Sequence, residues 1–225
     1  MTTGHPTRQA FRDELAQLRL QVELMGLRVD ENLTRMGQVL RTADPGLIGP
    51  ALAADDEIDA MNVSLTERCY ELLTLESPVA SDLRFIVSVL RITGELERVG
   101  DLSLRVIKLA GEVPLLRTSG AIWETLLRLV AEAVAQYRTA LRAWSAQDLG
   151  LATALATRQR TLDGCYEEMV GDLRRYQGPE AARIAIGVMG AGRAADRIAD
   201  HAAIIGARLR YLITGKPAHL AAEVR

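Results

Sequence analysis

A five-residue acidic segment occurs twice in this chain, and its repetition limits the possible folds more than any other feature. Glu97-Arg98-Val99-Gly100-Asp101 returns as Asp196-Arg197-Ile198-Ala199-Asp200, an offset of 99 residues (196 − 97). The same offset carries Phe85, Val89, Ile92, Leu96, Val99 and Val106 onto Ile184, Val188, Ala191, Ala195, Ile198 and Ile205. It also carries Arg84 onto Arg183, while Ser103 falls on Ala202. Upstream, Ile58-Asp59 resembles Leu162-Asp163 at an offset of 104 (162 − 58), so the second copy is five residues shorter between these points. A repeat of this length is a duplicated folding unit rather than a short solenoid. The boundary is expected near Pro114 to Ser119, giving units of residues 1–116 and 117–225.

The repeated unit reads as three helices, so the predicted fold class is all-α: two tandem antiparallel three-helix bundles. Ala, Leu, Arg and Glu are abundant and aromatics are only 4% of residues, a composition that loses little side-chain freedom in helical turns. Apolar residues recur at three- and four-residue spacing, and nothing alternates as a strand would. Proline cannot stand in a helix interior, so the seven prolines mark ends and first turns. Asp44-Pro45 and Ser77-Pro78 read as cap plus first residue, Gly178-Pro179 opens another helix, and short polar residues at Ser145 to Asp148 cap the remaining junction. The spacing predicts helices over residues 8–41, 46–75, 78–111, 119–146, 148–176 and 179–214.

Each unit carries acids at the rim of its apolar stripes. Glu97 and Asp101 are four apart, as are Asp196 and Asp200, so each pair lies one turn apart on a single helix face. Asp55 and Asp59 repeat the spacing on the second helix, directly after the stripe residues Ala54 and Ile58. Two such helices side by side gather four carboxylates, which repel and raise one another's pKa unless a cation joins them. Oxygen donors of this kind suit magnesium, manganese or iron. In the second unit Asp163 aligns with Asp59, but Gln159 stands where Asp55 would be. Metal is therefore expected first in the N-terminal half.

Other chemistries lack their residues. The only histidines, His5, His201 and His219, never stand three residues after a Glu, as di-iron bundles require. His201 is expected to be a partly exposed packing residue. No phosphate-binding glycine loop and no nucleophile–base constellation is present, so no enzyme is expected. The net charge of −2, without a basic block, argues against nucleic-acid binding. Cys69 and Cys165 stand alone in helical stretches, as small apolar groups in a reducing compartment. No signal peptide and no membrane-spanning run is visible, so a cytoplasmic protein that meets membranes only through a partner is expected.

Several segments together resemble the PhoU family, the accessory regulators of phosphate transport, over nearly the whole chain. They are Phe11 to Leu18 with Met25-Gly26, Asp55-Asp56-Glu57-Ile58-Asp59, Ser77-Pro78-Val79-Ala80-Ser81-Asp82-Leu83-Arg84, and the repeated acidic segment with its trailing His201. The resemblance implies two similar three-helix bundles side by side. It implies metal clusters at the acidic pairs, with iron, zinc, manganese and magnesium all eligible. It implies a negative regulator of phosphate uptake and phosphate-starvation signalling. The partners it implies are the ATPase subunit of a phosphate ABC transporter and a membrane sensor histidine kinase. Gln159 and Ala181, the latter in place of an Asp, depart from the pattern in the second unit. The residues alone leave open a metal-storage or metal-dependent bundle, a metal-free helical interaction protein, and a homodimer.

Overall fold

The apolar stripes become seven α-helices in the computed structural model, which describes residues 8–75 and 78–224, the side chains of 75, 157–161 and 222–224 excepted. Helix α1 spans Arg8–Thr42, α2 Ile48–Leu75, α3 Ala80–Ile107, α4 Val113–Leu116, α5 Ala121–Ala146, α6 Leu149–Arg175 and α7 Ala181–Thr214. No strand occurs among the described residues. All six expected helices are present. The link between the units differs from expectation: Pro114 occupies the first turn of the short α4, which a 3-10 turn over Arg117–Ser119 follows. A further 3-10 segment, Pro217–Val224, extends the chain beyond α7.

Local chemistry explains the junctions. Asp44 Oδ1 accepts from the Gly46 amide at 2.8 Å, and Asp148 Oδ1 accepts from the Gly150 and Leu151 amides at 2.7 and 3.0 Å. Both satisfy amides that a helix start leaves without partners. Ser77 lies outside the described residues, and Val79 holds the cap position of α3 without a side-chain bond. Gly215 ends α7 in the left-handed conformation (φ 69°), which costs a glycine nothing.

Helices α1, α2 and α3 form one bundle, and α5, α6 and α7 the other. Consecutive helices within a bundle run antiparallel. Glu14 pairs with Arg68 at one end of the α1–α2 contact, and Asn32 Nδ2 donates to the Ala51 carbonyl at the other. In the second bundle the chain of α7 comes close to α6: a Cβ at Gly206 would stand 2.7 Å from Leu155 Cδ1 and 3.2 Å from the Ala152 carbonyl. The bundles join along α3 and α7, also antiparallel, since Arg84 approaches Gly215 and Glu95 meets His201. Both apolar stripes are buried, Phe85, Val89, Ile92, Leu96 and Val99 on α3 and Ile184, Val188, Ala195 and Ile198 on α7. Each large aliphatic side chain removed from water contributes about 1.5–3 kcal/mol.

A second join links α1 to α5. The hydroxyl of the fully buried Tyr137 donates to the Gly26 carbonyl at 2.7 Å, and Arg138 Nε reaches Asp30 Oδ1 at 2.7 Å. Tyr137→Phe keeps the ring and loses the bond. It is expected to cost about 1 kcal/mol, a fall in Tm of about 2–4 °C by thermal unfolding.

Candidate functional site

The first acidic seam lies where α2 crosses α3. Gly100 allows the approach: a Cβ there would stand 3.4 Å from both Asp55 Oδ1 and Ile58 Cδ1. Ile58, Leu96 and Val99 are buried, so the residues beside them sit at the rim. Asp55, Glu97 and Asp101 are half-buried and Asp59 is exposed. Burial pushes the Asp55 carboxyl up to about 6; the charges of Asp101 and Asp59 add to the rise and Lys108 opposes it. Burial, followed by the charge of Asp101, also raises Asp59 and Glu97. Each of these three is thus raised by charges on the facing helix, so the structure brings the four acids of the seam into one electrostatic neighbourhood. Among the described residues none of the four makes an ion pair or hydrogen bond. Nor, among those residues, does any group of three or more acids, histidines or cysteines converge closely enough to hold an ion. The carboxylates lie near one another without forming a closed ligand set.

The second seam is different. Asp196 and Asp200 stand on α7, and the exposed Asp163 faces them from α6. Burial is the main cause of the raised Asp196 pKa, and Asp200 adds to it; Arg193 opposes, and the smaller effect of Asp163 again raises it. Arg193 Nη1 lies 2.8 Å from Asp196 Oδ2, and Arg197 Nη1 lies 3.8 Å from Asp200 Oδ2. At the position of Arg193 the first unit has Gly94 (193 − 99). The second seam therefore carries one internal cation, Arg193, that the first lacks; Arg197 has its equivalent in Arg98, whose charge opposes the rise of Glu97. The side chain of Gln159 lies outside the described residues. Arg193 was readable in the sequence as a cation three residues before Asp196, the spacing of neighbours on a helix.

His201 departs from its expected place. It is buried, and its Nδ1 lies 2.5 Å from Oε2 of the equally buried Glu95 on α3. The residue after Asp200 is turned by about 100° around α7, away from α6 and into the interface with α3. Its partner lies 106 residues earlier, so no local spacing reveals the pair. Beside this pair a cleft of about 690 Å³ opens between α3 and α7, with Arg98 and Arg105 on one side and Arg193 and Arg197 on the other. Cys69 is buried, and burial pushes its thiol up to about 12; Cys165 is half-buried. Among the described residues no helix is long and apolar enough to cross a membrane.

A family model described as "PhoU domain" matches residues 22–110 and again 126–209. The phosphate-specific transport system accessory protein PhoU homologue of Pseudomonas aeruginosa is 29% identical over 213 residues, 94% of this chain and 88% of that protein. The homologue from Zymomonas mobilis is 30% identical over 217 residues, 95% of this chain and 90% of that protein. The crystal structure of PhoU from Pseudomonas aeruginosa superposes with a TM-score of 0.86 at 29% identity, covering 92% of this chain and all of that one. The phosphate transport system regulatory protein PhoU of Streptococcus pneumoniae, 24% identical with a TM-score of 0.80, shares the fold over 92% of this chain and 98% of its own.

The first seam makes stability depend on pH. Native Asp55 holds its proton up to about pH 6, whereas an unfolded aspartate releases it near 3.8. Between these values the native state binds more protons, so stability falls as pH rises through the window. In metal-free protein Asp55→Asn should reduce this slope, to which the raised Asp59, Glu97 and Asp196 also contribute. At pH 7 the variant is expected to be more stable by about 1 kcal/mol, a figure reduced because the carboxylate is partly solvated. Thermal unfolding in a chelator between pH 4 and 7 measures both effects; an unchanged slope would contradict the account. Glu95→Ala leaves the buried imidazole without its partner and is expected to cost about 1–3 kcal/mol in the same assay.

Proposed function

The chain belongs to the PhoU family, and from that membership we propose that it is a non-enzymatic regulator that restrains phosphate uptake and phosphate-starvation signalling. In this reading it acts by binding, from the cytoplasmic side, the ATPase subunit of a phosphate ABC transporter and a sensor histidine kinase. The single observation that carries the proposal is the doubled family match, which spans both bundles and agrees with the relatives' own description as phosphate transport accessory proteins. Deletion of the gene is expected to raise phosphate-starvation transcripts several-fold in phosphate-rich medium. Unchanged transcripts would remove the proposal. Affinity capture from the native host, with the ATPase and the kinase sought by mass spectrometry, tests the two partners.

We further propose that the first seam binds a divalent or trivalent cation. Asp55, Asp59, Glu97 and Asp101 would hold it after side-chain rotations that close the set. The bound ion would neutralise four carboxylates that otherwise repel. An all-oxygen donor set fits magnesium, manganese or iron better than zinc, which favours nitrogen and sulfur. The paired acids of the second seam must first give up Arg193 and Arg197, so Asp163, Asp196 and Asp200 should bind more weakly. Elemental analysis of natively purified protein is expected to find metal, and Asp55→Asn with Asp101→Asn should lower its content by at least half. A second reading, a metal-free helical adaptor, is favoured by the ion pairs of the second seam. It gains if the double variant binds partners as the parent does and carries the same trace of metal.

A further inference from the structure

The cleft between α3 and α7 is lined by four arginines against one carboxylate, Asp101, and its floor includes the buried His201. Arg98 and Arg105 are seven residues apart on one face of α3, and Arg193 and Arg197 four apart on one face of α7. Two cationic ridges thus face each other across about 690 Å³. Asp196 and Asp200 compensate Arg193 and Arg197, and Glu97 lies near enough to Arg98 to feel its charge; an anion between the ridges would relieve the repulsion that is left. Several other exposed arginines are tied to carboxylates, among them Arg28, Arg128, Arg138, Arg175 and Arg183, though Arg12, Arg41 and Arg174 are exposed without such a pair among the described residues. Arg98 and Arg105 are exposed, and among the described residues neither has an ion-pair or hydrogen-bond partner.

We propose that this cleft, which adjoins the acidic seams, binds a phosphoryl oxyanion. Charge selects an anion, and the existing ion pairs narrow its type. Arg193 and Arg197 already have Asp196 and Asp200 beside them. A carboxylate ligand offers them nothing these do not supply. A phosphoryl group brings three acceptor oxygens and a charge of about −1.5 to −2 at neutral pH, and its oxygens match the forked guanidinium donors. The cleft has the size of a small-molecule site, and Val106 and Ala194 add apolar wall. Inorganic phosphate, an inorganic oligophosphate and a nucleotide share this chemistry. Asp101 is the one unfavourable lining group, and it belongs also to the first seam. The inference rests on the cleft alone and not on the regulator reading.

Isothermal titration calorimetry on the full metal-free chain, in about 0.15 M salt, tests it with inorganic phosphate, tripolyphosphate, ATP and an octaglutamate peptide as separate probes. Saturable binding of at least one phosphoryl probe is expected, and the strongest identifies the source. Arg98→Gln with Arg105→Gln should weaken it roughly tenfold or more, while Arg128→Gln with Arg175→Gln leaves it unaltered. Should the first pair of changes disturb folding, arginine labelling of the unaltered protein decides. The phosphoryl probe should then protect Arg98 and Arg105 from phenylglyoxal and leave Arg128 reactive. The proposal is overturned if no phosphoryl probe binds at millimolar concentration, or if the Arg98/Arg105 variant binds as the parent does. It also fails if those two arginines are labelled equally with and without ligand. Tighter binding of octaglutamate than of every phosphoryl probe would assign the cleft to an acidic protein segment instead.

Discussion

The antiparallel contact between α3 and α7 is the constraint on which the rest of the molecule depends. Each of these helices packs within its own bundle and also against the other, so their apolar stripes must serve neighbours on two sides. That requirement is met in part by small residues on α7: the buried Ala194 lines the cleft beside α3. The same requirement explains why the duplicated segments face each other near the middle of the contact. Glu95 and His201 mark that centre with a buried polar pair. Such a pair tolerates little sliding, because a shift of register would leave two polar groups buried without partners.

Around this contact each repeated segment sends its side chains in two directions. Successive helical residues are turned by about 100°, so an acid and the arginine after it cannot face the same neighbour. Glu97 and Asp101 turn toward α2, and Asp196 and Asp200 toward α6. Arg98 and Arg197 turn instead to the cleft between the bundles. The first segment thus presents acids to one neighbour and an arginine to another, whereas in the second Arg197 stays 3.8 Å from Asp200. The two rims then differ because of Arg193, whose guanidinium occupies Asp196 in one unit, where the other has only Gly94.

Much of this was legible in the residues. The duplication, the helix stripes and the caps at Asp44 and Asp148 follow from periodicity and from the unsatisfied amides of helix starts, which act over a few residues. The four acids of the first seam were also readable, since spacing of four places each pair on one face. The chain between Ile107 and Ala121 was not: a proline there announces a break but not the short α4 and its following turn. His201 was misplaced for a similar reason. Its burial depends on Glu95, a residue of the other unit, and no pattern along α7 contains that information.

The sequence by itself determined the all-helical class, the two-fold repetition and the identity of the acids at each rim. All of these arise from interactions between residues within a few turns of each other. Only the tertiary structure decided how the units meet, that Glu95 and His201 are buried together, and that Arg98 and Arg105 face Arg193 and Arg197 across one cleft. It also decided that the carboxylates of the first seam stand near one another without converging. Such relations depend on where α2, α3, α6 and α7 lie in space. That placement is set by the packing of many side chains distant in sequence, which no local spacing encodes.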